Sequence, residues 1–353
     1  MNITNINSVL KTIQDDIENC EETMKQMRKS YIPNIQKMFN DPLERSIAVF
    51  VHNAFMYYTW SETIKSLENT LDMFIRSTLQ KKVVFIFHAE NSSSSSQNNC
   101  HQKSTFFFTL LALQLRPELR NRTLGFICND LYTVSPKSLK NRTDVVYCIC
   151  EDSIYSGDQI TKVIHDLEKI NKIDASKIHV VCPFVREEFV QQSTSKNYEL
   201  HAGTWVPSLL TRLSDESVIS ETCKQLDQIR IEYGESSFDN IDICRDPDEV
   251  QKLLPIFPQK MRHTPVYYSH KTADATSIPL PWLLGILGLG SFDTDESEAY
   301  IANEHVKRSD GQVWACMRGP YKSHTDKLKK IFDEIFVEPK KLKPSILSRI
   351  FKK

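Results

Sequence analysis

The chain has 353 residues, 40% of them apolar, and a formal net charge of −1. That length holds one large domain with additions or two domains, the apolar content suffices for a proper core, and the near-neutral balance excludes a nucleic-acid role for the protein as a whole. No N-terminal segment joins basic residues to an apolar core and no apolar run reaches about 18 residues, so neither a signal peptide nor a membrane span is expected, and the expected location is the cytoplasm.

Residues 1–79 read as a mostly helical accessory region. Ile6, Val9, Leu10, Ile13 and Ile17 space like one helix face, and Ile64, Leu67, Leu71, Phe74 and Ile75 repeat the pattern. Between them His52, Phe55, Tyr57, Tyr58 and Trp60 crowd together, which predicts a helix buried against the main domain rather than an aromatic docking surface. Lys81–Phe87 is the first core strand, followed by a serine- and asparagine-rich tract that reads as a linker and by a buried helix from Ser104. Leu124–Cys128 is the second strand. The nine cysteines include no CxxC pair and no Cys/His metal spacing, which fits a reducing compartment, and Cys148 and Cys150 read as plain core residues.

The densest chemical signal lies between Val145 and Ile170. Val145–Cys150 is an uninterrupted apolar run rich in β-formers, the pattern of a strand buried on both faces of a parallel sheet. It ends in Glu151 and Asp152, and beyond a short loop Ile160, Val163, Ile164, Leu167 and Ile170 mark a helix face. The acidic turn therefore sits at the carboxyl edge of a buried strand, where open α/β sheets bind their ligands. A helix starting near Gly157 aims backbone N–H groups at an anion, and Ser156 adds a hydroxyl. Paired carboxylates accept hydrogen bonds from a vicinal diol or hold Mg²⁺ through water. A diol beside a phosphate describes a ribose 5-phosphate; the plainer alternative is an acid that only caps the helix.

Residues 148–159, Cys-Ile-Cys-Glu-Asp-Ser-Ile-Tyr-Ser-Gly-Asp-Gln, resemble the PRPP-binding motif of type I phosphoribosyltransferases. The resemblance is specific over about 25 residues and extends loosely over about 80–275. It implies that Glu151 and Asp152 bind the ribose hydroxyls and a Mg²⁺ ion. It also implies that Ser153, Ile154, Tyr155, Ser156, Gly157, Asp158 and Gln159 cradle the 5-phosphate, and that Lys103 and Ser104 lie where pyrophosphate binds. Tyr155 and Gln159 depart from the family pattern, in which hydroxyl residues are common. That departure leaves open a pocket that binds without turnover.

Lys177–Val185 is the fourth strand, and strands alternating with helices at these intervals indicate a parallel sheet. Arg186–Gln192 and Asp215–Ile231 read as helices and Tyr198–Pro207 as a strand, with no chemistry in residues 186–260 above a solvated surface. Val266–Tyr268 is a short strand delivering His270, Lys271, Asp274 and Ser277 in quick succession. If it joins the main sheet, His270 and Lys271 reach the edge that carries Glu151 and Asp152, with Lys271 offsetting pyrophosphate charge and His270 acting on a base or leaving oxygen; otherwise they belong to a capped turn. Pro279–Gly290 reads as an apolar cover near the site, with Trp282 as core. Residues 337–353 hold six basic residues and one acidic residue, a solubilising tail of net charge +5.

The expected fold is thus α/β, a parallel Rossmann-like sheet of phosphoribosyltransferase type over residues 80–335, with an N-terminal helical region (1–79) and a basic tail (336–353). The expected function is binding of PRPP or a ribose 5-phosphate nucleotide, with transfer of phosphoribosyl to a nitrogenous base and release of pyrophosphate. The alternatives are a non-catalytic nucleotide or PRPP sensor and an interaction protein on the same fold. The partners this reading admits are PRPP or a nucleotide, a protein held through the N-terminal helices, and a second copy of the chain in a homodimer.

Overall fold

A computed structural model describes residues 6–29, 46, 49–50, 52–87, 104–128, 131–193, 196–233, 266–268, 321 and 324–336. In chain order the elements are α1 (Ile6–Lys29), β1 (Met56–Tyr58), α2 (Trp60–Ser77), β2 (Lys82–Phe87), α3 (Ser104–Leu115), α4 (Pro117–Arg122), β3 (Thr123–Cys128), β4 (Leu131–Tyr132), α5 (Pro136–Leu139), β5 (Val145–Cys150), β6 (Ser153–Ile154), α6 (Asp158–Asp166), β7 (Ile178–Arg186), α7 (Glu187–Ser193), β8 (Glu199–Val206), α8 (Leu209–Leu213), α9 (Glu216–Tyr233), β9 (Val266–Tyr268) and α10 (Thr325–Phe336). Two compact units result. The first comprises Met1–Asp16, Ser61–Trp205 and Tyr321–Lys353, the second Ile17–Trp60 and Val206–Pro320.

The first unit is built on a seven-stranded sheet in the order β4-β3-β2-β5-β7, with β6 and β8 also paired to β7. β3, β2, β5 and β7 run parallel and β4 is antiparallel to β3, so the fold is α/β with a mixed, mostly parallel sheet. All six side chains of β5 are buried, as a central strand covered on both faces requires. The ladder aligns Phe85 with Phe126 on one side and with Cys148 on the other, and Cys148 with His179, so these four side chains share one face.

On that face Phe87 meets Phe106 of α3 edge to face at 5.0 Å and Phe336 of α10 at 5.9 Å. Phe74 of α2 covers His179. The opposite face packs Val84, Ile86, Tyr147, Ile149, Val180 and Cys182 against Ile160, Val163 and Ile164 of α6. Strand order reverses between β2 and β5, and α3, which follows β2, lies on the opposite face from α6, which follows β5. This reversal is the topological switch point of an open α/β sheet.

α2 buries a partly polar face. Thr63, Ser66 and Thr70 are buried along with Leu67, Leu71 and Phe74. Ser66 Oγ donates to the Pro183 carbonyl at 2.7 Å and shares a 2.8 Å hydrogen bond with Thr204. Gly203 of β8 permits this close approach, because an added Cβ would lie 2.4 Å from both Ser66 Oγ and Thr70 Oγ1.

In the second unit β1 and β9 form a two-stranded parallel sheet, with Tyr58 stacked on Tyr268 at 5.9 Å. Asn53 Nδ2 donates to Thr222 Oγ1 (3.1 Å) and Gln225 Oε1 (2.9 Å) of α9, and Arg212 ion-pairs with Asp215 at 2.6 Å.

Four local expectations change. The aromatic stretch expected as a buried helix holds the strand Met56–Tyr58, whose side chains are only half-buried. Val266–Tyr268 does not join the seven-stranded sheet: Val266 and Tyr268 bury their side chains in the second unit, against β1. Ile170 is 60% exposed, because α6 passes into a π-helical turn at Leu167–Asn171, whose wider rotation carries Ile170 off the apolar face. Cys20 and Cys128 are each disulfide-bonded, which sequence spacing did not reveal. Cys148, Cys150, Cys182 and Cys223 are free thiols. Among the described residues no helix is long and apolar enough to cross a membrane.

Candidate functional site

The acidic turn sits at the carboxyl end of β5, next to the switch point. Glu151 extends the ladder by one residue, its N–H donating to the Val181 carbonyl at 2.9 Å. Its side chain, 8% exposed, accepts a 3.0 Å hydrogen bond from Ser104 Oγ at the first residue of α3. The segment after β2 and the acids after β5 are thereby tied together on either side of the strand-order reversal. Asp152 is 1% exposed and accepts from Ser153 Oγ at 3.2 Å. Thr105 Oγ1, also buried at the start of α3, has no hydrogen-bond partner among the described residues. Paired carboxylates and hydroxyls at a strand end are a hard oxygen set suited to a diol and to Mg²⁺.

The loop from Ser153 to Gln159 is less uniform than its sequence. Ser153 and Ile154 pair with Phe184 and Val185, so Ile154 is a core residue and the loop starts as a strand. Tyr155 is half-buried, and Ser156, Asp158 and Gln159 are exposed. Ser156 Oγ accepts from the Asp158 N–H at 3.3 Å, a cap on the first turn of α6. Gly157 adopts the left-handed conformation at φ +76°, and the space beside its Cα is filled by Phe189 of α7, whose Cε2 would lie 1.8 Å from an added Cβ. The close approach this glycine permits is therefore to an aromatic ring. Lys196 lies over the Phe189 ring at 4.8 Å and donates to Thr161 of α6 at 3.1 Å, bringing a cation that sequence reading did not connect with this loop. Lys103, His270, Lys271, Asp274, Ser277, the segment Pro279–Gly290 with Trp282, and residues 337–353 lie outside the described residues.

A second cluster lies where the sequence suggested only solvated surface. His179 of β7 and Glu199 and His201 of β8 converge. His179 Nδ1 and His201 Nε2 are 3.0 Å apart, and each lies 3.4 Å from a Glu199 oxygen. Period-two alternation on β8 puts Glu199 and His201 on one face, and strand pairing brings His179 beside them. The imidazoles are buried, 5.5 and 5.6 Å from the Phe74 ring, whereas Glu199 is exposed. Burial lowers the pKa of both histidines, that of His201 to about 4, against the opposing pull of the Glu199 charge. Both rings are thus neutral bases at neutral pH. The available signals were the lone histidine in the otherwise apolar strand Lys177–Val185 and the Glu-x-His alternation, and neither identifies its partner without the pairing of β7 with β8.

Cys148 and Cys150 place their sulfurs 3.8 Å apart, and burial raises the Cys148 thiol well above its ordinary range. They are core residues, as expected.

No protein-family model matches the chain, no curated protein is similar to it, and no solved structure matches it.

Proposed function

We propose that the chain is a phosphoribosyltransferase-like protein that binds PRPP, or a nucleotide carrying a ribose 5-phosphate, at the sheet edge between β2 and β5. Its main support is the 3.0 Å hydrogen bond from Ser104 to Glu151, which joins the two segments that such a ligand would bridge, at the point where strand order reverses. Under this proposal the sheet is Rossmann-like and of phosphoribosyltransferase type. Glu151 and Asp152 receive the ribose hydroxyls and, through water, Mg²⁺, while the loop from Ser153 to Gln159 and the start of α6 receive the 5-phosphate. Pyrophosphate lies toward Lys103 and Ser104. Carboxylates beside the sugar and donors around the leaving group would stabilise a transition state with positive ribosyl and negative pyrophosphate character. β9 pairs with β1, so the strand pairing under which His270 and Lys271 were expected at this edge is not observed; both lie outside the described residues and this proposal does not depend on them.

A second reading, binding without turnover, is favoured by the packing of Phe189 against Gly157 and by the half-buried Tyr155, which narrow the space for a phosphate. A pyrophosphate-release assay on the full chain, with PRPP, Mg²⁺ and a panel of purine and pyrimidine bases, separates the two. Release that disappears in Glu151→Gln supports transfer. Thermal stabilisation by PRPP without release supports the sensor, and the absence of both refutes each.

A further inference from the structure

We propose that His179, Glu199 and His201 form a binding site for a zinc-class divalent cation, separate from the ribose-phosphate pocket and independent of it. A tetrahedral Zn²⁺ with bonds of about 2.0–2.1 Å holds its donor atoms about 3.3–3.4 Å apart. His179 Nδ1 and His201 Nε2 are 3.0 Å apart, and each lies 3.4 Å from a different Glu199 oxygen, Oε2 and Oε1 respectively; one donor atom from each residue lies within 4.8 Å of the others, so a small closure of the cluster brings the three donors around one ion. Two imidazole nitrogens and one carboxylate match the borderline-soft preference of Zn²⁺ and are a poor set for Mg²⁺ or Ca²⁺.

The surroundings are those of a built site. The two rings are nearly parallel, at 8°, and Phe74 stands edge-on to both, which restricts their rotation. α2, which carries Phe74, is itself held on the sheet by the Ser66 hydrogen bonds to Pro183 and Thr204. Glu199 is the solvent side of the triad, so a fourth position is open to water or an exogenous anion. The ion would clip β7 to β8 and leave one exchangeable coordination site. The competing arrangement is a plain hydrogen bond between the imidazoles, which needs one shared proton and no metal.

The test uses the purified full chain, freed of metal with EDTA and dialysed, then titrated with ZnCl₂ against a chromogenic chelator. CoCl₂ serves as a spectroscopic probe of tetrahedral geometry. One equivalent of Zn²⁺ should bind, with intense visible Co²⁺ bands. Affinity should fall at least ~10-fold in Glu199→Gln and ~100-fold in His201→Gln or His179→Gln. Glu199 is exposed, so its variant keeps the fold and decides the matter if a histidine variant does not. Absence of saturable binding at micromolar Zn²⁺, or binding of unchanged affinity in Glu199→Gln, would overturn the proposal.

Discussion

Gly157→Ala separates a glycine kept for backbone geometry and packing from one kept for a ligand. At φ +76° an alanine costs about 1–2 kcal/mol relative to glycine. Its Cβ would stand 1.8, 2.3 and 2.7 Å from three ring carbons of Phe189, which is 1% exposed and cannot swing aside without displacing the core. Overpacking of this kind adds about 1–3 kcal/mol, for a total of about 2–5 kcal/mol. Phe189→Ala alone should cost about 3–5 kcal/mol. In the double variant the clash is gone and only the backbone cost remains, so the two losses should fall short of additivity by about 1–3 kcal/mol. Urea unfolding followed by pulse alkylation of Cys148, Cys150 and Cys182 reads the first unit specifically, since all three thiols are buried in its sheet. A Gly157→Ala loss below about 0.5 kcal/mol, or strict additivity with Phe189→Ala, would refute this account of the turn.

Gly203→Ala should destabilise the first unit by about 1–3 kcal/mol, because the new methyl meets Ser66 Oγ and Thr70 Oγ1 at 2.4 Å; the same thiol assay measures it, and an unchanged midpoint contradicts it. The Tyr198 hydroxyl is buried without a hydrogen-bond partner among the described residues, so Tyr198→Phe should leave stability unchanged or raise it by about 1 kcal/mol. Burial also pushes the Tyr198 phenol from 10.0 to about 12. Between the two pKa values only the unfolded chain ionises, so stability holds below the unfolded pKa and falls by up to about 3 kcal/mol as pH rises toward the folded one. Urea midpoints across that window should fall less in Tyr198→Phe than in the parent. Alkylation of the native protein, read by mass spectrometry, should modify Cys223 well before Cys148, Cys150 and Cys182, which react only on unfolding.

Long apolar strands were legible in the sequence because they are buried on both faces. Val145–Cys150 is observed with the expected bounds, and β2, β3, β7 and β8 are displaced by a residue or so. Helix faces were legible where apolar spacing dominates, as at Val9, Leu10 and Ile13, all buried. The expectation failed at Ile170, where the helix changes pitch, and it overlooked the buried polar residues of α2, Thr63, Ser66 and Thr70, the last two held by hydrogen bonding and close approach to β8. The position of Glu151 and Asp152 could be read because a strand that ends abruptly in acids has one carboxyl edge. Two features could not: the filling of Gly157 by Phe189, residues 32 positions apart, and the triad of His179 with Glu199 and His201, which needs the pairing of two strands. The destination of β9 could not be read either, since a three-residue strand carries too little pattern to choose its sheet.

The most direct measurement is calorimetric titration of the full chain with PRPP in the presence of Mg²⁺, beside the variant Glu151→Gln/Asp152→Asn, with circular dichroism confirming that both are folded. A ribose-phosphate pocket at the end of β5 predicts saturable, Mg²⁺-dependent binding to the parent that is lost in the variant. No binding to the folded parent, or equal binding to both proteins, would contradict it.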